Sequence, residues 1–361
     1  FHIFNTTFEY FTNSHLDNNL KGNGYYFNII GNSIDFNLLF EGCIFNNLES
    51  NAIGGGAIGL WAKNNGLIYD IIFKKCRFEN LYFSFDQFGG ALIFYSATNR
   101  DANLDVIECV FNNVSSKLGG AAITYGADSG RLLVEKCNFI GSHTIGDNGN
   151  GGSIYISALA KTQPVIIRDC LFENSTVNCS NWNAINFEAP GNQECTIQNC
   201  QFIDCGTTGY VIKSSSNRLI VDEITIKFTG AKSNGIVFEK KGQFQIINSL
   251  FYNLNDSITY QIDTTNNNEL TIDAFNCTFQ SVRYCFVFNV KNLIISNSNF
   301  YDCSFSNNYL LYFDNSKPNT LKFENCNFTK CNSKYNNVNS IILLPTYQSI
   351  EIDNCIFNLC C

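Results

Sequence analysis

Cysteine is the residue type in this chain whose number and spacing first suggest chemistry. The 361 residues contain 17 Cys, an odd number, so at least one thiol is unpaired within the chain. The sequence has no C-x-x-C pair, and His2, His15 and His143 are far apart, so the spacing matches no common zinc pattern. We therefore predict no metal and no cofactor.

Nine of the cysteines share one position, two residues before an aromatic residue in a recurring segment. One copy reads I-Q-N-C-Q-F and ends at Phe202, and another reads I-E-I-D-N-C-I-F and ends at Phe357. Other copies carry Thr, Ile or Ser there, so the position takes a compact inward side chain, and a ladder of buried thiols is the expected role. The nine are Cys43, Cys76, Cys109, Cys137, Cys170, Cys200, Cys277, Cys326 and Cys355.

A second cysteine position lies three residues after the aromatic residue, in the second half of the chain. It is occupied by Cys205, Cys303, Cys331 and Cys360. Disulfides could join the two positions within one unit or link neighbouring units, and spacing alone does not choose between them. The candidate pairs within a unit are Cys200–Cys205, Cys326–Cys331 and Cys355–Cys360.

Acidic residues do not repeat in register with the motif. A hydrolase needs carboxylates that converge on one face, and stacked acids would occupy a fixed repeat position. The loop Asp147-Asn148-Gly149-Asn150 is rich in oxygen ligands but reads as a turn, and nearby His143 is expected to be a bystander. We predict no catalytic residue. The acids at differing offsets include Asp86, Asp128, Asp147 and Asp204.

Seven N-x-S/T sequons make N-linked glycan a predicted partner if the chain is secreted. Asn327 lies between two inward positions and should point outward. Asn5 and Asn276 occupy predicted bends and are expected to be less accessible. The glycosylation candidates are Asn178, Asn327, Asn255, Asn113 and Asn174.

The repeated segment predicts short β-strands. Apolar residues stand seven and five positions before the aromatic anchor, and the small residue and the anchor form a second alternating pair. Alternation with period two is strand spacing, and motifs repeating at this length indicate a solenoid or array. The 13 anchors are Phe8, Phe45, Phe78, Phe111, Phe139, Phe172, Phe202, Ile226, Phe251, Phe279, Phe300, Phe328 and Phe357.

The alternation shifts phase three residues before each anchor, so the chain must bend there. Asn, Gly or Asp, which tolerate left-handed backbone angles, occupies this position in nine units. The four exceptions are expected to bend with ordinary angles. They are Lys75, Glu108, Lys136 and Glu223.

In the first half of the chain, a pair of glycines precedes a predicted third strand in four units. We predict an all-β fold: a single-stranded right-handed parallel β-helix of about 13 coils, with three short strands per coil. At the parallel strand spacing of about 4.8 Å, 13 coils would form a rod of roughly 60 Å. We expect residues 1–361 to form one continuous domain with no capping unit at either end. The pairs open the segments Gly55–Ile58, Gly89–Leu92, Gly119–Ala122 and Gly151–Ile154.

Composition limits the partners. The net charge of −8, with 15% charged residues, argues against nucleic acid, and no run of about 18 apolar residues predicts membrane insertion. Aromatic residues such as Trp61, Trp182 and Tyr95 could stack on extracellular carbohydrate if they face outward, although ordinary ladder packing is the simpler reading.

The G-G-A-I/L and C-x-F-x-N segments together resemble the repeats of polymorphic outer membrane proteins, which are chlamydial autotransporter adhesins with protist relatives. The resemblance covers roughly residues 40–175 and is carried by segments such as Gly55–Ile58 with Cys43–Asn47. The family pattern places its Asn one residue later. The resemblance implies a β-helix and a cell-surface or extracellular setting.

Three functions remain open. The first is a non-enzymatic extracellular structural protein, either a β-helical segment of a surface protein or a filament subunit that stacks end to end on itself or on flanking parts of a longer chain. The second is a glycan-binding adhesin. The third is a polysaccharide lyase or hydrolase of the pectate-lyase-like class.

Overall fold

The structure is a computed structural model in which three parallel β-sheets wind into a right-handed β-helix, as the repeat predicts. Among the described residues there is no α-helix, and hence no helix suited to crossing a membrane. The described residues are 2–9, 12–13, 25–29, 36–50, 56–62, 69–88, 90–96, 102–127, 129–146, 151–157, 164–177, 182–188, 194–206, 209–230, 233–239, 242–260, 270–288, 292–305, 311–313, 320–333 and 349–360.

Sheet 1 contains 13 parallel strands, one from each predicted unit. The strands form where the apolar residues alternate, so that one face points into the coil and the other points outward. They are His2–Phe4, Phe36–Glu41, Tyr69–Lys74, Ala102–Ile107, Leu132–Glu135, Val165–Arg168, Glu194–Gln198, Arg218–Asp222, Gly242–Ile247, Leu270–Phe275, Asn292–Ser296, Thr320–Glu324 and Ser349–Asp353.

Sheet 2 carries the anchors and follows sheet 1 after the bend. Its strands are Thr7–Glu9, Ile44–Asn46, Arg77–Phe88, Val110–Leu118, Asn138–Ile140, Leu171–Glu173, Gln201–Ile203, Thr225–Lys227, Leu250–Tyr252, Thr278–Gln280, Asn299–Tyr301, Asn327–Thr329 and Ile356–Asn358. Two-residue strands continue some coils beyond the anchor. These are Thr12–Asn13, Glu49–Ser50, His143–Thr144, Thr176–Val177, Ser304–Phe305 and Asn332–Ser333.

Sheet 3 is buried on both faces over much of its length, unlike the half-exposed sheet 1. In the strand from residue 123 to residue 127, for example, every side chain is buried. The strands are Tyr25–Ile29, Ile58–Ala62, Leu92–Ser96, Ile123–Ala127, Ile154–Ile156, Trp182–Phe187, Tyr210–Ser214, Asn234–Phe238, Asp256–Tyr260, Tyr284–Phe288 and Leu311–Phe313.

The coils stack in register, so each anchor lies directly on the next. Phe78 pairs with Phe45 on one side and Phe111 on the other, and the ring centroids are 4.8 and 4.7 Å apart. The rings are nearly parallel because identical rotamers repeat at the coil spacing. Ile226 interrupts the stack between Phe202 and Phe251, although it is fully buried in the same column.

Every bend residue adopts a left-handed conformation, so the expectation of ordinary angles at four of them is wrong. The φ angles are +54° at Lys75 and Glu108 and +53° at Lys136 and Glu223. The reason is the hydrogen bond that twelve of the thirteen bends make to the next coil: the Lys75 N–H donates to Ile107 O at 3.0 Å, for example. Coil stacking therefore fixes the backbone against the side chain's preference.

A second left-handed bend, two residues after the anchor, was not predicted. It has φ between +50° and +56° in residues as different as Asn80, Asp204 and Lys330. The N–H again donates to the coil above, as from Asn174 to Ile203 O at 3.1 Å. Asn is common at this position, and that enrichment was the available sequence signal.

The glycine pairs precede sheet 3 as predicted, because the coils approach there too closely for a side chain. A Cβ on Gly56 would lie 2.5 Å from Gly90 O, and a Cβ on Gly90 would lie 2.5 Å from Gly120 O. The glycine column therefore sets the close contact between successive coils at this corner.

We expect Glu223→Asn to stabilise the protein by about 1 kcal/mol, because Asn tolerates the left-handed conformation that costs other residues roughly 1–2 kcal/mol. The measurement is the midpoint of denaturant unfolding. Glu223→Ala is the matched control: it removes the same charge but keeps the Cβ strain. Equal midpoints for the two variants would show that the bend is not strained at this residue.

Candidate functional site

A groove of about 700 Å³ lies on the outer face of sheet 1 over the first coils. Strand alternation creates it, since Leu38 and Ile71 are buried in the coil interior while their neighbours point outward. Its outward lining combines two apolar side chains with a set of polar ones. The lining includes Leu39, Ile72, His2, Asn37, Asp70, Asn103, Asp105 and Arg131.

The polar side chains of the groove are linked by hydrogen bonds from coil to coil. Asn103 Nδ2 donates to Asp70 Oδ1 at 2.8 Å, and Arg131 N–H donates to Asn103 Oδ1 at 2.9 Å. The Arg131 guanidinium binds both carboxylate oxygens of Asp105, with Nη2 at 2.8 Å from Oδ1 and 2.6 Å from Oδ2. The side chains are thus held in place before any ligand arrives.

This arrangement suits recognition better than acid–base catalysis. The Asp105 carboxylate is neutralised by a bidentate guanidinium, and the Asp70 carboxylate accepts from an amide. Fixed amides and carboxylates beside Leu39 and Ile72 offer hydrogen-bond partners next to a small apolar surface. The groove is therefore the strongest candidate ligand site among the described residues.

An ionic cluster lies on sheet 3, around the nearly buried side chain of Lys213. Lys213 Nζ is 2.9 Å from Glu239 Oε2 and 3.7 Å from Glu188 Oε1, and its side chain is only 9% exposed. The Tyr155 hydroxyl donates to Glu188 Oε2 at 2.8 Å, and Ser215 Oγ donates to Glu239 Oε2 at 3.0 Å. Burial and the Glu188 carboxylate raise the Tyr155 pKa, so this hydroxyl remains a donor.

Sequence reasoning missed this cluster because loop lengths differ between coils. Lys213 aligns with Asn186 and Tyr155 in neighbouring strands of sheet 3, yet these residues lie at different distances from their anchors. To find the cluster from the sequence, one would need to know the register of sheet 3, and the anchors do not fix that register. The contacts link residues of four successive coils, so they stabilise the stacking of those coils.

The nine-cysteine column lies inside the β-helix at the bend between sheets 1 and 2. Eight of the nine are buried and Cys355 is partly exposed. Each of the eight buried sulfurs lies within hydrogen-bonding range of two carbonyl oxygens, as Cys109 Sγ does of Phe73 O at 3.5 Å and Ile107 O at 3.3 Å. Burial raises the pKa of the Cys277 thiol to about 12, which leaves it protonated and a poor nucleophile at neutral pH.

None of the pairs Cys200–Cys205, Cys326–Cys331 and Cys355–Cys360 is joined by a disulfide in the structure. The two cysteines of one unit lie beside different bends, and each contacts its own pair of carbonyls. Cys200 Sγ contacts Ile167 O and Gln198 O, whereas Cys205 Sγ contacts Phe172 O and Ile203 O. The anchor strand Gln201–Ile203 lies between these two cysteines in the chain.

The other polar candidates fall at separate places. His143 Nδ1 is 2.6 Å from Thr176 Oγ1 in the neighbouring coil, and burial lowers the His143 pKa. Asp204 accepts from the Thr229 N–H at 2.7 Å. The loop 147–150 and Asp128 lie outside the described residues, as does the side chain of Asp86. Among the described residues no group of three or more His, Cys, Asp or Glu is placed to hold a metal ion.

The sequons differ in exposure. Asn327 is exposed and accepts from Thr329 Oγ1 of its own sequon at 3.1 Å. Asn113 and Asn174 are exposed at the second bend, and Asn255 is half-buried. Asn178 lies outside the described residues. The expectation that Asn5 and Asn276 are less accessible is wrong, because bend side chains point away from the coil interior and both are exposed.

Asp256 begins a strand of sheet 3 and carries a perturbed carboxyl group. Burial raises its pKa to about 6, and the Arg283 guanidinium only partly opposes this. The folded protein therefore disfavours the ionised form relative to the unfolded chain, whose Asp pKa is 3.8. This contribution to stability is present at about pH 4 and is lost as the pH rises through 6.

We predict that Asp256→Asn stabilises the protein at pH 7 by about 2 kcal/mol and removes this loss between pH 4 and 7. Unfolding midpoints measured across that range would show it, with exposed Asp353→Asn as the control that keeps the wild-type slope. If Asp256→Asn and the wild type lose stability in parallel, the burial of Asp256 is not the cause.

Comparison with known proteins agrees with this architecture. Residues 183–358, a little under half of the chain, match the family model described as right handed beta helix region. No curated protein and no solved structure matches the chain. The matched region spans the second half, where the glycine pairs are absent and the anchor pattern alone continues. The family model and the three parallel sheets identify the chain as a right-handed parallel β-helix protein.

Proposed function

We propose that this protein is a non-enzymatic structural β-helix of the cell surface or extracellular space, acting as a rigid rod segment. The observation that carries the proposal is the unbroken 13-stranded sheet 1, with matching positions stacked from coil to coil. Nearly every repeated feature of the sequence serves this stacking: the Phe anchors, the compact Cys and the two left-handed bends. Such solenoids are stabilised by contacts between neighbouring coils.

We propose end-to-end stacking as the mode of assembly, and the contact surface to be tested is the last described coil. Its ladder residues Phe357 and Ile352 are 46% and 50% exposed, and Ile356 is 62% exposed, whereas Phe328 in the coil before is fully buried. An open strand edge that carries apolar side chains is a surface for adding another strand. We propose that this edge receives a further parallel coil from a second copy of the chain.

Two observations support a surface setting. The glycine-pair and C-x-F-x-N segments resemble polymorphic outer membrane protein repeats, which build surface adhesins. The exposed sequon at Asn327 presents its amide to solvent. N-linked glycan is accordingly proposed at Asn327, Asn113 and Asn174 on a secreted form.

The rod proposal predicts that the purified chain forms rods in electron micrographs, with lengths in multiples of roughly 60 Å for 13 coils. We expect association to increase with concentration in sedimentation velocity, because the exposed ladder edge pairs with the next molecule. Phe357→Asp should reduce this association by placing a charge in the stacking surface.

The matched control is Phe275→Asp, which changes a phenylalanine of equal 46% exposure on the outer face of sheet 1. It should leave association unchanged if contact is made through the ends. Compact particles without a long axis would contradict the rod. Association that Phe275→Asp weakens as much as Phe357→Asp would contradict end-to-end stacking.

A second candidate function is glycan binding, favoured by the groove on sheet 1. Its preorganised Asp70, Asn103 and Arg131 can exchange hydrogen bonds with sugar hydroxyls, while Ile72 and Leu39 can contact the apolar face of a ring. A glycan array followed by calorimetry on any glycan that binds would test this. We expect Asn103→Ala to weaken binding at least tenfold, because it removes a donor and frees Asp70.

The control for the groove is Gln245→Ala, which alters an exposed residue of sheet 1 outside the groove. If both variants bind the glycan equally well, the groove is not the glycan-binding site. The same glycans, with acidic polysaccharides added, should be recovered uncleaved, because the groove carboxylates are engaged in structural contacts. New reducing or unsaturated ends would instead establish a polysaccharide-degrading enzyme.

A further inference from the structure

Four cysteines of the second half come together near the C-terminal coils. Cys303, Cys331 and Cys360 form a column three residues after their anchors, and Cys285 lies beside the column on the strand Tyr284–Phe288 of sheet 3. Cys285 and Cys303 are 0% and 1% exposed. Cys285 belongs to neither of the two repeated cysteine positions, so the repeat itself does not explain it.

Cysteines within a column are poorly placed for bonding to each other. Cys303, Cys331 and Cys360 make the same pair of contacts: each Sγ lies within hydrogen-bonding range of the anchor carbonyl of the coil before and of the carbonyl two residues earlier in its own coil. They therefore share one conformation and differ by the coil translation of about 4.8 Å. A disulfide needs Cβ atoms about 3.5–4.5 Å apart and a crossed arrangement, which a translation does not give.

Cys285 and Cys303 are not related by the coil translation, so this geometric limit does not apply to them. Cys285 follows the anchor Phe279, and Cys303 follows the anchor of the next coil, Phe300, at a different position in the repeat. The two side chains therefore approach from different elements, and Cys285 Sγ lies 3.7 Å from Cys303 Sγ. Rotation about the Cα–Cβ bonds can shorten that contact toward a bond.

We propose that Cys285 and Cys303 are a modification site that becomes an intrachain disulfide when the protein folds in an oxidising environment. The oxidant is a small-molecule disulfide. The thiolate of one cysteine attacks it and releases one thiol, and the second thiolate then attacks the mixed disulfide and releases the other. Two protein thiols are oxidised to one S–S bond while one small disulfide is reduced to two thiols.

The timing of the reaction follows from burial. Burial raises the pKa of the Cys285 thiol, and both sulfurs are enclosed in the folded coils, so exchange with solvent is slow once folding is complete. The bond therefore forms before the two coils close over it. It joins sheet 3 of one coil to the segment after the anchor of the next, and it closes a loop between residues 285 and 303.

The test is refolding of the full chain from denaturant in a glutathione buffer containing oxidised glutathione, and separately in dithiothreitol. After acid quenching and alkylation in denaturant, trypsin places Cys285 in peptide 284–291 and Cys303 in peptide 292–322. We expect the two peptides to be joined in most molecules refolded with oxidised glutathione and separate in those refolded with dithiothreitol.

Cys285→Ser should leave Cys303 recovered as an alkylated thiol and should abolish the fall in unfolding midpoint that dithiothreitol causes in the wild type. Cys277→Ser, at a buried position of the first column, should keep the cross-link. Recovery of both peptides separately alkylated after oxidative refolding of the wild type would overturn the proposal. A bond from Cys303 to Cys331 instead would also overturn it.

Peptide mapping of the wild type decides the question even if a variant fails to fold. The oxidising compartment belongs to the proposed surface function, but the experiment supplies its own oxidant. A negative result would therefore leave the rod proposal standing. Equally, compact particles in the micrographs would not affect the disulfide.

Discussion

The in-register stacking of coils is the constraint on which the rest of this structure depends. Each strand pairs with the equivalent strand of the next coil, and paired strands are about 4.8 Å apart. Most residues therefore lie next to the residue at the same repeat position in the neighbouring coil. Phenylalanine then lies on phenylalanine and asparagine on asparagine, as where Asn276 Nδ2 donates to Asn248 Oδ1 at 2.7 Å. Like charges in one column would repel at that distance. The consecutive bends Lys75, Glu108, Lys136 and Asp169 instead alternate in sign, and Lys75 Nζ lies 3.8 Å from Glu108 Oε2.

The path of the backbone near each anchor could be predicted from the sequence. Period-two alternation fixes which side chains are inside, and the phase shift locates the first bend. Its conformation at Lys136 was not predictable from residue preference, because the deciding hydrogen bond, from Lys136 N–H to Arg168 O, belongs to another coil. The ionic cluster around Lys213 was hidden for a related reason. Loops of unequal length separate sheet 3 from the anchors, so its register has to be seen in three dimensions.

The two candidate polar sites lie on different faces and have different surroundings. The groove around Asn103 is on the half-exposed sheet 1 and presents fixed polar groups to solvent. The cluster around Lys213 pairs one nearly buried ammonium group with two partly exposed carboxylates, Glu188 and Glu239. A rod that presents an organised groove along one side while its other surfaces serve stability is consistent with a structural role combined with surface recognition. Anchor spacing could not reveal the cluster around Lys213, but it does place the groove residues Asn37, Asp70, Asn103 and Arg131 in one column, each eight residues before its anchor.

The interruption at Ile226 divides the aromatic column into a block of seven rings, from Phe8 to Phe202, and a block of five, from Phe251 to Phe357. In a solenoid, stability is nearly a sum of nearest-neighbour terms, so one weaker interface separates regions that can open independently. The β-sheets pass through Ile226 without a break, but ring stacking does not. We therefore expect a boundary between two cooperative units at Ile226, where heat or load would separate the two blocks first.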